Sequence, residues 1–154
     1  MNRRGAGRAV LITAALIAAV YGMARVDLTL RARSAYLEGE KWMAWNLKPE
    51  LKKAHFDAEL AAREGELSRE LAKGKLERAA YERKTGLARF ERDQAVAESS
   101  LKYAYVWYQT AAELFSPPAS RWSVLARAKM TETRVLWKKE LDAQNISYQD
   151  YMLE

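Results

Sequence analysis

The sequence predicts an all-α protein with an N-terminal membrane-spanning helix followed by an extracytoplasmic bundle of helical hairpins. Composition favours helices, because Gly and Pro are scarce (7 and 3 of 154 residues) while Ala, Leu, Glu, Lys and Arg recur throughout. An uncharged apolar run lies near the N-terminus, and the charged remainder repeats apolar residues at helical spacing. Cysteine is absent, which excludes disulfides, thiolate metal sites and cysteine lipidation.

The basic charge of the chain is concentrated at its N-terminal end. The net charge is +6, and residues 1–34 contain six arginines and one acidic residue, Asp27. The rest of the chain is therefore nearly neutral. A nucleic-acid-binding protein needs a concentrated basic face on its folded part, so this distribution argues against nucleic acid as a partner.

Residues 1–30 form the predicted signal-anchor helix. Arg8 is the last of three arginines before the uncharged run, residues 9–24, and Arg25 follows it. Sixteen helical residues span about 24 Å, less than the ~30 Å hydrocarbon core, so the helix is expected to continue past Arg25. Positive charge before the run predicts a cytoplasmic N-terminus and a periplasmic remainder, in a single-pass protein of the bacterial inner membrane. A cleaved signal peptide and a buried helix of a soluble protein are the alternatives.

Residues 31–48 read as a juxtamembrane helix with two tryptophans. Trp42 and Trp45 can lie at the membrane interface together with Arg8 and Arg25, because an indole ring is apolar while its N–H is polar. The alternative is that both tryptophans belong to the core of the first soluble helix. Pro49 marks the next helix start, since proline fits the first helical turn.

Residues 49–98 predict a charged helical hairpin. Leu60, Leu67 and Leu71 keep a helical spacing that slips at Gly74, where a glycine after Lys73 fits a helix C-terminus. We therefore expect helices over about 50–72 and from 77 onward. One continuous charged helix is the alternative, because a helix tolerates an isolated glycine at a cost of about 1 kcal/mol.

The turn and its flanks, SRELAKGKLERAAYERKTGLARF at residues 68–90, resemble the SHOCT short helical hairpin of bacterial proteins. The resemblance rests on the leucines, the glycine turn, and the aromatic residue and lysine that follow. It covers a small part of the chain and implies a role in oligomerisation or docking.

Residues 99–154 predict an aromatic-rich helical hairpin. A coiled-coil-like seam leads into it, with alternating spacings of four and three residues at positions 76, 80, 83, 87, 90, 94, 97, 101, 104 and 108. Two prolines at 117 and 118 stop this helix, Ser116 or Ser120 can cap the next one over 121–143, and Asn145 can end it. Ser147 suits a short capped terminal helix. The expected partner-binding residues are Tyr103, Trp107, Trp122 and Trp137, whose alternative role is in the core.

No pattern in the sequence predicts catalysis. His55 is the only histidine, and Glu59 follows one turn later, whereas a catalytic zinc needs three protein ligands. Ser99 and Lys102 match the S-x-x-K motif without the further motifs that its enzymes need. We therefore expect no catalytic, cofactor-binding or metal-binding residues, and no enzyme activity.

The sequence as a whole predicts a non-catalytic accessory or scaffold subunit that is anchored in the lipid bilayer and docks onto protein subunits of a larger membrane or envelope complex. A homo-oligomer is a further assembly that the seam allows. The alternative is an exported helical binding module for a peptide or small ligand. The composition around Tyr103 and Trp107 resembles that of TPR repeats, although no repeat at about 34 residues is found.

Overall fold

The computed structural model describes the backbone of residues 3–153 and the side chains of residues 11–151 and 153. Most of this part is helical, and its described residues contain no strand, which confirms the all-α prediction. The helices are α1 (Arg3–Leu47), α2 (Pro49–Ala72), α3 (Arg78–Ala97), α4 (Ser100–Gln109) and α5 (Arg121–Ala143). A π-helical turn, Thr110–Leu114, extends α4, and a short 3-10 helix covers Asp150–Leu153.

Helix α1 is long and apolar enough to cross a membrane. It continues without a break through residues 30 and 31, where the sequence analysis divides an anchor from a juxtamembrane helix. It ends at Leu47 because the proline at position 49 disfavours helical geometry in the residue before it. Lys48 accordingly has φ −135° and ψ 79°.

The chain divides into two compact units, one made of residues 1–40 and 101–154 and the other of residues 41–100. In the first unit, α4 runs antiparallel to α1. The ring of Tyr108 lies 5.8 Å from that of Tyr36, and Phe115, further along, shares a groove with Leu30, nearer the start of α1. Helix α5 then returns along the pair, with Trp122 beside Tyr36.

Small side chains dominate the core of this first unit. Ala32, Ala104, Ala111, Ala112 and Ala126 are all fully buried. Alanine leaves little side chain between two backbones, so helices that meet through alanines approach closely. The largest fully buried side chain among the described residues is Tyr108, which fills the space that the alanines leave.

Helix α5 begins and ends with capping arrangements. Ser120 and Ser123 form a reciprocal capping box, which confirms one of the two predicted caps. Asn145 has φ 54°, and the next N–H donates to Leu141, so the predicted helix end is also confirmed. The predicted cap at Ser147 is wrong. The last helix begins at Asp150, whose carboxylate is bonded by Lys138 and thereby held against α5.

The second unit contains the hairpin of α2 and α3, as the spacing of the leucines predicts. Gly74 has φ +66°, and its N–H donates to the carbonyl of Leu71 at 3.0 Å, while that of Lys75 donates to Glu70 at 2.9 Å. This is the left-handed helix ending that glycine favours. The hairpin is therefore confirmed over the continuous helix.

Ion pairs hold the two helices of the hairpin together along with a few buried side chains. Arg89 contacts Glu64 at 2.8 Å, Arg63 contacts Glu91, and Arg92 bonds Asp57 through two of its nitrogens. Leu67 of α2 and Thr85 and Ala88 of α3 are buried in the same hairpin. The abundance of charge in residues 49–98 is thus explained in part by pairing between the helices.

The predicted coiled-coil seam is not one continuous surface. The helix is interrupted between α3 and α4, and the two halves of the seam have different environments. In α4 the seam residues Leu101, Ala104 and Tyr108 are buried, whereas in α3 Leu87 is 52% and Phe90 is 60% exposed. Helix α3 packs on α2 through Thr85, Ala88 and Arg92, which lie on a different face. The α3 half of the seam is therefore uncovered within this unit, and its pairing with another helix stays a prediction.

Replacing Gly74 by alanine tests the hairpin turn. We expect Gly74→Ala to destabilise the protein by about 1 kcal/mol, because its positive φ disfavours a side chain. Gly65→Ala, in the interior of α2 with open space around the glycine, should instead stabilise by up to about 1 kcal/mol. Chemical unfolding followed by circular dichroism measures both. Stabilisation by both changes would contradict the turn.

The ion pair of Asp57 predicts a dependence of stability on pH. Hydrogen bonds from Lys53 and Arg92 hold the pKa of this carboxyl below its usual range. A lowered folded-state pKa adds stability that is complete above the usual pKa of an aspartate and is lost as the pH falls towards the lowered value. Asp57→Asn should therefore destabilise the protein at pH 7, with the difference from wild type shrinking in acid.

Unfolding at pH 7 and at stepwise lower pH measures this effect. Glu66→Gln, which changes an exposed carboxylate on the same helix, serves as the matched control. A destabilisation by Asp57→Asn that is independent of pH would show that the ion pair does not produce it.

Candidate functional site

The apolar segment of α1 has no cover from the described residues. Every side chain from position 11 to position 27 is exposed. The large apolar side chains among them, each 60–71% exposed, are Leu11, Ile12, Leu16, Ile17, Val20, Tyr21, Met23 and Val26. Exposed apolar surface of this extent on a soluble protein marks a site of interaction with a membrane or another protein.

The charged residues after this segment interact with neighbours on the same helix. Arg25 lies over the ring of Tyr21, 5.9 Å from its centre, and Asp27 pairs with Arg31 at 2.7 Å. Arg25 is exposed, as a residue at the end of a membrane span can be. The side chain of Arg8, the other predicted interface arginine, lies outside the described residues.

Trp42 and Trp45 form an aromatic cluster in the second unit. Their ring centres lie 4.7 Å apart, and Trp45 also contacts His55 at 4.9 Å and Phe56 at 5.7 Å. Trp45 is 7% exposed, and the amine of Lys52 lies 5.4 Å from the centre of the Trp42 ring. This placement favours the core role of the two tryptophans over the role at a membrane interface.

The four predicted partner-binding aromatics are all partly exposed in the first unit. The guanidinium groups of Arg33 and Arg121 each lie over the Trp122 ring, 5.7 Å from its centre. Trp137 stacks on the buried Tyr105 at 5.6 Å. Tyr103 and Trp107 lie on α4, so the structure does not gather the four into one cluster: they are spread over α4 and both ends of α5.

Trp107 and Phe115 line a groove on the first unit. The remaining lining residues come from α1 and are Leu30, Arg31, Ser34, Ala35 and Glu38. The lining combines the two aromatic side chains with apolar and polar residues of α1. Leu114, next to Phe115, is 71% exposed, and among the large apolar side chains described only Leu47 is more exposed, at 76%.

Tyr108 fixes α4 against α1. Its hydroxyl donates to Oε1 of Glu40 at 2.6 Å, and its ring packs on Gly39 so closely that a Cβ there would lie 2.6 Å from Cε1. Burial, and then the hydrogen bond to Glu40, raise the pKa of Tyr108 far above its usual value. The tyrosine therefore stays neutral at physiological pH and acts as a hydrogen-bond donor inside the core.

His55 is placed as an ordinary surface residue. Its Nε2 lies 3.2 Å from Oε1 of Glu59, one turn along α2, and its side chain is 44% exposed. Within the described part of the chain, no group of three His, Cys, Asp or Glu residues is arranged to hold a metal ion.

No protein-family model, curated protein or solved structure matches this chain. The resemblance of residues 68–90 to the SHOCT hairpin therefore stays a likeness of local sequence pattern.

Sequence reasoning missed two features of the first unit. One is the contact of Tyr108 with Gly39 and Glu40, for which the signal was a glycine inside an otherwise helical stretch. The other is the groove of Trp107 and Phe115, which depends on residues about 75 positions apart in the chain. No periodicity within a single helix could have revealed that second feature.

Gly39→Ala tests the packing of α4 on α1. The added Cβ must displace the Tyr108 ring, so we expect a loss of about 1–3 kcal/mol, as for overpacked cores. Gly22→Ala on the same helix meets no atom within 4 Å and should not destabilise. Thermal unfolding in mild detergent measures both, and equal stability of the two variants would contradict the close contact.

Proposed function

We propose that this protein is a non-catalytic accessory or scaffold subunit, anchored by a single membrane-spanning helix, that docks onto a larger membrane or envelope complex. The observation that carries the proposal is the exposed apolar segment of α1, residues 11–27, which the chain's own fold leaves uncovered. Leaving this surface in water would be unfavourable by about 25 cal/mol for each Å² of apolar area. A bilayer provides the cover it needs.

The distribution of charge supports the orientation. Three arginines precede the segment without an acidic residue. The three arginines at and just beyond its far end (25, 31 and 33) are accompanied by Asp27, and the chain beyond residue 34 is nearly neutral. Because positive charge is retained on the cytoplasmic side, the proposal places the N-terminus in the cytoplasm and the two compact units in the periplasm of a bacterial inner membrane.

The outer face of α3 supports docking of a protein partner. Leu87 and Phe90 are 52% and 60% exposed and continue the spacing of four and three that is typical of paired helices. Their own hairpin does not cover them, because α2 packs on another face of α3. A helix of a partner subunit is the occupant that this spacing fits best.

The alternative function, an exported TPR-like module for a peptide or small ligand, has less support. TPR proteins stack several helix pairs to form a concave surface, whereas the first unit contains the single pair α4 and α5 beside α1. The groove of Trp107 and Phe115 is the one feature that favours a ligand.

Co-purification in mild detergent tests the proposed function. The double variant Leu87→Asp/Phe90→Asp should lose the partner while melting as wild type does, because both side chains are exposed in the isolated chain. Leu51→Asp, at a 47% exposed leucine of α2 in the same unit, should keep it. Partners are identified by mass spectrometry.

The predicted aromatic docking residues are tested in the same assay. Each of four residues is replaced singly by alanine: Tyr103, Trp107, Trp122 and Trp137. A substitution that removes the partner without lowering the melting temperature would assign docking to the first unit. If the wild-type protein retains no partner in a detergent that preserves membrane complexes, the accessory-subunit proposal is wrong.

A further inference from the structure

We propose that the turn between α4 and α5, residues 114–120, lies in the phospholipid headgroup layer, with the side chains of Leu114 and Phe115 directed to the lipid. This inference deepens the proposed function and rests on its membrane anchor. It adds a second membrane contact, made by a part of the chain about 85 residues beyond the anchor. The occupant to which it commits is the phospholipid of the bilayer that α1 spans.

The groove begins on α1 close to the predicted edge of the hydrocarbon core. The hydrocarbon edge falls between residue 24, where the uncharged run ends, and residue 28, where a span of about 20 residues from position 9 ends. At a rise of about 1.5 Å per residue, Leu30 then lies some 3–9 Å beyond that edge. The headgroup layer occupies roughly the first 5–7 Å beyond it. A helix tilt of about 20° changes these heights little.

The 114–120 turn lies at the same height along α1 as Leu30. Because α4 runs antiparallel to α1, its C-terminal end approaches the membrane end of that helix. Tyr108 packs on Gly39 and Glu40, whereas Phe115, seven residues later, lines the groove with Leu30. Residues 114–120 are thus the part of α4 and α5 nearest to the predicted bilayer.

The 114–120 turn is uncharged and at least partly exposed throughout. Its sequence, LFSPPAS, has no charged residue over seven positions in a chain that is 30% charged. Leu114 is 71% exposed, and Pro117 and Ala119 are exposed as well. An uncharged apolar loop that lies open at the end of a helical unit suits insertion among lipid headgroups better than contact with water.

Basic groups flank the turn where lipid phosphates would lie. Arg121 follows it directly, and Arg33 approaches from α1, each with its guanidinium over the ring of Trp122. Trp122 thereby orients two cations beside an apolar surface, an arrangement that complements a phosphate above acyl chains.

The predicted interface tryptophans, Trp42 and Trp45, lie too far along α1 for this role. They follow position 28 by 14 and 17 residues, which corresponds to about 21 and 26 Å of helix. That distance exceeds the thickness of a headgroup layer, which is about 5–7 Å. The inferred interface contact is therefore the 114–120 turn and not these two tryptophans.

Single-cysteine labelling tests the inference, because the chain has no cysteine of its own. The variants Leu114→Cys and Ala119→Cys place an environment-sensitive fluorophore at two exposed positions of the turn. Leu16→Cys reports on the anchor, and Val135→Cys, 50% exposed on α5, reports on a water-facing position of the same unit. Each full-length protein is reconstituted in phospholipid nanodiscs and tested with brominated lipids and with aqueous iodide as quenchers.

We expect brominated lipid to quench the probes at 16, 114 and 119, and iodide to quench the probe at 135 only. Probes at 114 and 119 that iodide quenches as strongly as the probe at 135, with the probe at 16 still in lipid, would overturn the inference and leave the anchor intact. Iodide quenching at 16 would overturn the anchor and, with it, the inference. Two turn positions guard against a local disturbance by either label.

Discussion

The structure depends on one helix that serves two environments. Helix α1 extends from residue 3 to residue 47. Its residues 11–27 expose mostly apolar side chains, while its residues 32–40 pack against α4 and α5. The change occurs within about two turns, between the exposed Val26 and the fully buried Ala32. A helix is stiff over such a distance. The packing of α4 and α5 on α1 therefore fixes the orientation of the first unit relative to whatever covers residues 11–27.

Close packing on α1 is possible because its protein-facing residues are small. Ala32, Ala35 and Gly39 leave room for α4, and the Tyr108 ring occupies the space above the glycine. The hydroxyl of that tyrosine is then satisfied by Glu40. A buried hydroxyl without a partner would cost about 1–3 kcal/mol, so the glycine and the glutamate act together. The arrangement directs α4 back along α1 and brings the 114–120 turn towards the apolar segment.

The hairpin of α2 and α3 has a different physical basis. Few large apolar side chains are buried between these helices, and charged pairs such as Glu64 with Arg89 supply many of the contacts. Most of these pairs are partly solvated, and such pairs contribute modestly, about 0–1 kcal/mol each. An element of this kind is soluble and only moderately stable, while its outer face exposes Leu87 and Phe90. Those properties suit a surface that becomes buried in an assembly.

Local signals in the sequence predicted most of the helix boundaries. Pro49, Gly74 and Asn145 act through the conformation of their own backbone, and Ser120 acts through a side-chain hydrogen bond to the N–H of Ser123. All four effects are local and so independent of the rest of the fold. The surroundings of the α3 seam were not predictable, because spacing shows that a face is apolar and does not show which helix packs on it. The groove of Trp107 and Phe115 was not predictable for a related reason, since its two sides come from distant parts of the chain.

Lipid cover of the α1 segment is the claim on which the rest of the account depends. Hydrogen–deuterium exchange of the full-length protein in phospholipid nanodiscs measures it directly, because backbone amides in the bilayer core are shielded from water. The account predicts that amides of residues 11–24 exchange more slowly than those of the solvated helix α2. Exchange of residues 11–24 as fast as that of α2 would contradict it.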